Sequence, residues 1–281
     1  MATKIASVSS LSGGKSSSYM AIHFPTDYYV FAVVLTDHRD SAPKDRGLLR
    51  ECQLRIPHFV ASHESDLTLL NILKLEQEIG KEIKWVASEY SLDKFILGKT
   101  DIPGYSKSKR LPNSITRFCT VQQKITPIFW HCYLYYPLPV LMNIGFRSDE
   151  KHRVDAWTCD KDKFRYYSTC DIDSKRYKWN QIEWRISQFP LYAHGIDRLT
   201  VNRYWDKKGW HFPEISNCRF CFFHTDFQLQ AQALREPDNL KWWLDMETEL
   251  KHSFGKRSLQ QRLEQPLLWD ILQDDKCFCT D

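Results

Sequence analysis

Short apolar runs recur along the first half of the chain, and longer stretches with helical spacing lie between them. Residues 5–8, 31–35 and 140–144 are the clearest runs, and each is followed by a small or polar residue. Residues 67–79 instead place apolar side chains at helical intervals and end at Gly80, a residue type that commonly terminates helices. Strands that alternate with helices in this way predict an α/β fold, with a parallel sheet covered by helices on both faces.

Chemically distinctive segments follow three of these predicted strands. They are the turn at residues 10–18, Asp37, and residues 145–147. Ligands of parallel sheets bind beyond the carboxyl ends of the strands, so we expect the three segments to form a single site.

The turn at residues 10–18 reads Ser-Leu-Ser-Gly-Gly-Lys-Ser-Ser-Ser. Its glycines allow the backbone to bend sharply and an anion to approach the N–H groups, and the helix predicted to follow presents unpaired N–H groups and the positive end of its dipole. The pattern G-x-x-x-x-G-K-S/T of the Walker loop is absent. Two interpretations remain at this point: a phosphate site, or a glycine-serine turn that only caps a helix.

Four motifs in this chain resemble those of one enzyme family. Ser12-Gly13-Gly14-Lys15-Ser16-Ser17 is similar to the S-G-G-K-D/S-S loop of the PP-loop ATP pyrophosphatases. Residues 117–127 resemble a family pattern R-x-C-T-x-x-x-K-x-x-P, and residues 144–153 resemble I-G-x-R-x-D/E-E-x-x-R. Residues 189–191 and 201–205 resemble a P-L pair followed by D-V-x-x-Y-W/I. These motifs narrow the resemblance to the branch that contains phosphoadenylyl-sulfate (PAPS) reductase and the DNA-phosphorothioation sulfurtransferase.

The resemblance implies an adenine nucleotide alpha hydrolase-like fold and an enzyme that cleaves ATP between the α and β phosphates. The activity it favours is adenylation of an acceptor followed by sulfur transfer. A PAPS or adenylyl-sulfate reductase is the alternative, although the reductases' C-terminal E-C-G-L/I-H motif is absent here. A nucleotide- or nucleic-acid-binding module without turnover is a third hypothesis.

The resemblance also assigns roles to individual residues. Lys15, Lys124 and Arg147 are the expected catalytic cations, which would stabilise charge on the phosphates together with Mg²⁺. The residues expected to bind the nucleotide are Ser10, Ser12, Gly13, Gly14, Lys15, Ser16, Ser17, Asp37, Gly145, Arg147 and Asp149.

Three of these assignments have alternatives. Ser16 stands where the family often has aspartate, so metal handling at the phosphates is expected to differ. Asp149 and Glu150 either hold Mg²⁺ or orient Arg147 and Arg153, or the four side chains are a surface ion-pair set. Asp37 either lies near the nucleotide or caps a helix.

The second chemical signal is a Cys-x-x-Cys-x-x-His motif formed by Cys218, Cys221 and His224. Two cysteines at this spacing can bind one metal, and Cys119 is the best candidate for a further ligand. In the family branch a 4Fe-4S cluster is common at the equivalent cysteines. The alternatives are a structural zinc site, a redox pair, or simply buried thiols.

The chain after Asp226 shows helical spacing, with Leu229, Leu240 and Trp243 among its apolar positions. We therefore predict two domains. Residues 1–225 form a nucleotide-binding domain with the Cys-x-x-Cys motif, and residues 226–281 form a C-terminal helical cap with a tail that contains Cys277 and Cys279.

Composition adds limits on partners and location. The 281 residues carry a net charge of +4 and nine cysteines, an odd number without the spacing of a disulfide scaffold. With no signal-peptide pattern and no apolar run near the ~18 residues of a membrane span, we expect a cytoplasmic protein without a membrane partner. The expected partners are ATP, a sulfur donor or carrier, and an acceptor such as tRNA, DNA or a small molecule. A homodimer is one possible assembly.

A basic segment, residues 92–113, lies between the glycine turn and the motif at residues 117–127. It is either a solvated loop, or a substrate lid or nucleic-acid contact on which Phe95 and Tyr105 would stack bases.

Overall fold

A computed structural model describes residues 5–102, 105–168, 178–213, 218–253 and 257–265. The strands are β1 (Ser7–Leu11), β2 (Tyr28–Val33), β3 (Leu35–Thr36), β4 (Ala61–Ser62), β5 (Ile83–Ala87), β6 (Val140–Asn143), β7 (Lys163–Ser168), β8 (Lys178–Glu183) and β9 (Arg185–Gln188). The α-helices are α1 (Lys15–His23), α2 (Arg46–Arg55), α3 (Asp66–Ile79), α4 (Leu92–Ile96), α5 (Phe118–Thr120), α6 (Thr126–Tyr135), α7 (Lys151–Asp155), α8 (Pro190–Ala193), α9 (Arg198–Lys208), α10 (Asp226–Arg235), α11 (Pro237–Leu250) and α12 (Leu259–Leu263). A π-helical turn, Val121–Ile125, joins α5 to α6, and 3₁₀ turns occupy Arg39–Ser41, Ser148–Glu150 and Cys159–Asp162.

The main sheet has five strands in the order β5-β2-β1-β6-β9, and all of its neighbours pair in parallel. Successive strands first extend the sheet on one side of β1 and then on the other. The strand order therefore reverses at β1, and the usual ligand position in such sheets is beyond the carboxyl ends of the strands at this reversal. The predicted α/β fold with a parallel sheet is confirmed.

Alternate residues of β2 face opposite layers. Tyr29, Phe31 and Val33 pack with the buried faces of α2 and α3. Val30 and Ala32 pack with α6 on the other side of the sheet. Continuous apolar strands of this kind are typical of parallel sheets that are buried on both faces.

Local sequence explains where several helices begin and end. Ser65 caps α3 because its hydroxyl accepts a hydrogen bond from the N–H of Thr68. The same helix ends at Gly80, whose φ of 63° is left-handed, as the sequence predicted. The first strand runs later than predicted, from Ser7 to Leu11, so Ser10 lies within β1 and not in the turn.

The prediction of a helical cap after residue 225 is confirmed for the described residues, where α10, α11 and α12 are present. Leu229, Trp243 and Leu259 are buried in one apolar cluster with Val34 and Phe118 of the preceding chain. The division into two domains stays a prediction. Cys277 and Cys279 lie outside the described residues.

The basic segment is not a simple solvated loop. Phe95 is 1% exposed and Leu111 is fully buried, both within the apolar cluster shared with the C-terminal helices. The predicted stacking of bases on Phe95 is therefore wrong, because the ring is already used in the core. Of the described helices, none combines the length and apolar character needed to cross a membrane.

Candidate functional site

The glycine turn follows β1 at the reversal point of the sheet. Gly13 has a φ of 76°, and a Cβ at this position would lie 2.5 Å from Cγ2 of Thr68. Glycine is therefore required twice, by backbone conformation and by close packing against α3. Gly14 is the N-cap of α1 and has no side chain to bond the first N–H groups. The helix start is accordingly left for water or an anion to satisfy.

Ser17 is committed to the structure of the turn. Its Oγ lies 3.2 Å from the carbonyl oxygen of Gly14, to which it donates, and 3.2 Å from the N–H of Ser12, which donates to it. The Oγ atoms of Ser12 and Ser17 are also 3.0 Å apart. Ser17 is 5% exposed, so its hydroxyl shapes the turn and is poorly placed for the phosphate contact that the sequence suggested.

Gly145 brings the end of β6 against the same turn. A Cβ on Gly145 would lie 3.2 Å from both the nitrogen and the Cα of Ser17. The absence of a side chain therefore lets the loop after β6 approach the start of α1, and the two family-like motifs form one side of a single site.

Two of the predicted catalytic cations, Lys15 and Arg147, lie at the start of α1. The Nζ of Lys15 donates to Oδ1 of Asn202 at 2.9 Å, and the Nη1 of Arg147 donates to the hydroxyl of Ser16 at 3.0 Å. The indole N–H of Trp205 donates to the carbonyl oxygen of Lys15 at 2.9 Å, which fixes α9 beside the turn. Asn202 and Trp205 belong to the fourth family-like motif, so this motif also lies next to the glycine turn.

Asp149 orients Arg147. Its carboxylate accepts from Nε and Nη2 of Arg147, each at 3.0 Å, and from the backbone N–H of Arg198 at 3.0 Å. Partial burial works to raise the pKa of Asp149, but the hydrogen bond and charge of Arg147 outweigh it and lower the pKa. Glu150 likewise pairs with Arg153 at 2.8 Å. These contacts are the ones expected both of carboxylates that orient arginines and of an ion-pair set, so the choice between the two stays a prediction.

Asp37 lies apart from this group. It is exposed, accepts a hydrogen bond from the Ser91 hydroxyl at 2.9 Å, and borders a separate cavity of about 300 Å³ together with Ser91 and Lys94. The alternative prediction, that Asp37 caps a helix, is wrong. The N-cap of the following 3₁₀ turn is His38, and no side chain forms a capping hydrogen bond there.

The three predicted cysteines line one cavity. Cys119 comes from α5, whereas Cys218 and Cys221 come from the turn that precedes α10. The cavity has a volume of about 50 Å³, and its walls also include Val34, just beyond the end of β2, and Trp243 of α11. It therefore opens at the same edge of the sheet as the glycine turn, since β1 and β2 are parallel neighbours.

Lys124 lies with the cysteines. Its Nζ is 3.0 Å from Oε1 of Glu64 and 3.6 Å from Sγ of Cys218. Glu64 is fully buried, and its Oε1 is 3.7 Å from the same sulfur. A half-buried thiol, a half-buried ammonium group and a buried carboxylate thus lie together. Lys124 therefore lies at the cysteine cavity, and its catalytic role stays a prediction.

Burial raises the pKa of the Cys119 thiol, and the nearby charges of Lys124 and Arg117 oppose that effect. Because the opposing cations come from the same helical segment as Cys119, this segment supplies both a thiol and the positive charge that favours its thiolate.

His224 does not line the cysteine cavity. Burial, assisted by the charge of Arg262, lowers the pKa of its imidazole to about 3, and a hydrogen bond to Gln232 only partly opposes this. His224 thus packs among α10 and α12.

Across the described ranges, no group of three or more His, Cys, Asp or Glu side chains is arranged to hold a metal ion. The predicted four-ligand set of Cys119, Cys218, Cys221 and His224 is therefore not assembled here. Three of its members suit soft-metal ligation by their chemistry and by their shared cavity, and the histidine is the member that lies elsewhere.

Sequence reasoning missed two residues that build this region. Glu64 gave no motif, and its only signal was a carboxylate just before the capping serine of α3. Arg219 is buried between the two cysteines, where its guanidinium donates to the carbonyl oxygens of Ser41 and Ser62 and pairs with Asp66 at 2.8 Å. Its position inside the Cys-x-x-Cys turn was visible, but these three partners lie over 100 residues earlier in the chain.

No family model matches this chain. No curated protein matches it either. Among solved structures, the chain is similar to the U34-tRNA thiolase NcsA from Methanococcus maripaludis with its 4Fe-4S cluster, at 14% identity and a TM-score of 0.38 over 94% of this chain and 77% of that one. A similarity at that level is too low to assign an activity.

Proposed function

We propose that this protein is a PP-loop-type enzyme that uses ATP to adenylate an acceptor and then transfers sulfur to it. The observation that carries the proposal is the shared location of two chemistries. The glycine turn after β1 leads into Lys15, and Arg147 from the loop after β6 contacts Ser16 beside it. A cavity lined by three cysteines lies beyond the end of the neighbouring strand β2.

The glycine turn supports the ATP half of the proposal. Phosphate oxygens would bind the N–H groups at the start of α1, with Lys15 as a point charge and Arg147 held in place by Asp149. The acceptor's oxygen would attack the α-phosphorus, and the bond to pyrophosphate would break. Mg²⁺ would share the negative charge of the phosphates, as in other phosphoryl-transfer sites.

The cysteine cavity supports the sulfur half. A sulfur atom supplied at the persulfide level by an external donor and carried on one of these thiols would attack the activated carbon of the acceptor, and AMP would leave with the original oxygen. A second thiol would then break the S–S bond, which releases the thiolated product and leaves a disulfide for an external thiol reductant to reduce. Cys119, Cys218 and Cys221 are the residues that would hold an iron–sulfur cluster, which would supply an additional binding site for sulfur. Lys124 would stabilise a thiolate at Cys218, whose Sγ lies 3.6 Å from its Nζ.

Replacement of Lys15 tests the ATP half. Lys15→Ala removes the charge expected on the phosphates and should reduce ATP turnover by about 10²–10³-fold, the usual effect of deleting one stabilising group. The melting temperature should change little, because the Lys15 side chain contacts Asn202 at a half-buried surface position. Lys74→Ala, an exposed lysine on α3, is the matched control. Equal turnover by the Lys15 variant and wild type would contradict the assignment of the turn.

Anaerobic purification followed by iron and sulfide analysis and a visible spectrum tests the cluster. Brown protein with iron and acid-labile sulfide is expected, with loss of both in Cys119→Ser. Colourless protein that contains zinc alone would favour a structural metal site and a simpler adenylation or nucleotide-binding activity.

A further inference from the structure

A large groove lies beside the cysteine cavity and is not used by the mechanism above. It has a volume of about 580 Å³ and runs between the segment 117–126 and the β7–β8 hairpin. Among the lining residues that the structure describes, five are cationic, four are aromatic and none is acidic. The cations are Arg117, Lys161, Lys163, Arg165 and Arg185. We call this surface the basic groove.

Three cations of the basic groove are accessible to a ligand. Lys161, Lys163 and Arg165 are exposed, and the last two share a face of β7 because side chains alternate along a strand. Lys163 pairs with Asp160 at 3.1 Å, and its cross-strand neighbour is Glu183. Both partners are exposed, and such pairs contribute little, so a phosphate can compete for the lysine.

The fourth cation plays a structural part. Arg185 is buried and pairs with Asp162 at 3.3 Å, and its guanidinium lies 5.0 Å from the ring of Trp157. This contact fixes one aromatic wall of the groove.

Trp179 supplies an accessible aromatic face. It is 51% exposed, and the guanidinium of Arg165 lies 5.2 Å from its ring. An exposed tryptophan next to a strand of cations is the combination that binds single-stranded nucleic acids, because bases stack on the ring while the cations contact phosphates. A protein partner would be expected to prefer an apolar surface with fewer like charges.

The basic groove is continuous with the cysteine cavity. Arg117 and Thr120 line both, and Cys119 lies between them in sequence. A strand that followed the basic groove would therefore bring one of its nucleotides to the cysteines.

We propose that the basic groove binds a single-stranded segment of nucleic acid, and that this nucleic acid is the acceptor of the sulfur. Only the claim that this nucleic acid accepts the sulfur rests on the proposed function, since binding of a strand needs neither ATP nor sulfur. It places the acceptor on the β7–β8 hairpin and not on the basic segment 92–113.

Fluorescence anisotropy with a labelled single-stranded RNA of about 12 nucleotides, a length in the usual range of site sizes, tests the groove. Trp179→Ala should weaken binding at least about fivefold, and Trp179→Phe should recover most of it because stacking is kept. Lys163→Ala combined with Arg165→Ala should reduce the slope of log affinity against log salt by about 1.4, for two lost phosphate contacts. Arg50→Ala combined with Lys74→Ala removes the same charge from exposed positions on α2 and α3 and should bind like wild type.

Unchanged RNA affinity in the groove variants, or an equal loss in the control pair, would overturn the proposal. Tighter binding of duplex than of single strands would also overturn it, and the same sequence as DNA shows which sugar is preferred. Failure of the wild type to bind any strand while it still releases AMP from ATP would refute the basic groove alone. RNA binding without AMP release would instead refute the proposed enzyme activity.

Discussion

At the scale of single residues, the glycine turn is the most demanding part of the structure. Gly13 combines a left-handed backbone with a contact that leaves no space for a Cβ, whereas Gly80 has a similar φ of 63° and nothing within 4 Å. The two positions separate the cost of conformation from the cost of crowding.

Gly13→Ala should therefore destabilise the protein more than Gly80→Ala. The left-handed conformation costs each variant about 1–2 kcal/mol, and the clash with Thr68 should add about 1–3 kcal/mol at Gly13 only. Urea unfolding of both variants measures the difference. Thr68→Ser removes the clashing methyl group and should recover the additional loss in the double variant. If Gly13→Ala and Gly80→Ala lose equal stability, the packing of the turn against α3 is misjudged.

At the scale of elements, one buried arginine joins the cysteine turn to the rest of the site. Arg219 pairs with Asp66 at the start of α3 and with Glu236 next to α11, each at 2.8 Å. The same α3 contacts the glycine turn through Thr68. The start of α3 is thus the physical link between the two halves of the candidate site.

Arg219→Met keeps the length of the side chain but removes its charge. We expect a loss of about 3–5 kcal/mol, because two carboxylates and two carbonyl groups lose their partner. Equilibrium denaturation measures the loss, with Arg50→Met as an exposed control expected to stay within about 0.5 kcal/mol of wild type. A loss as small as that of the control would show that the cysteine turn is held mainly by apolar packing.

The sequence predicts the strands and helices better than it predicts the positions of individual side chains. Local patterns predict strands β1, β2 and β6 and helix α3, since each depends on residues close in sequence. The contact of Gly145 with the glycine turn follows from the geometry of a parallel sheet. The position of Lys124 could not be predicted in this way. It depends on Glu64, a residue 60 positions away that carries no motif. Likewise, the C-x-x-C-x-x-H spacing suggested a ligand at His224, but tertiary packing with α10 and α12 decided its position.

At the scale of the whole molecule, the C-terminal helices complete the core. Leu229, Trp243 and Leu259 share an apolar cluster with Val34 and Phe118, and Trp243 also lines the cysteine cavity. The helices after residue 225 therefore contribute to the wall of the cysteine cavity as well as to the core.

A fragment of residues 1–225 should fail to fold into a stable monomer. Removal of the helices exposes a buried apolar cluster, and such surfaces favour aggregation. Size-exclusion chromatography and binding of a hydrophobic dye measure the result, with the full chain as the control. A monomeric fragment with cooperative unfolding would instead support two independent domains.

The central claim is that ATP is cleaved between its α and β phosphates, and product analysis tests it most directly. Protein is incubated with ATP labelled on the α-phosphate, Mg²⁺, pooled tRNA, a persulfide donor and a thiol reductant, and the nucleotide products are separated. The account predicts labelled AMP, with equivalent pyrophosphate, from wild type and a loss of AMP in Lys15→Ala. Labelled ADP with inorganic phosphate would contradict the assignment of the glycine turn.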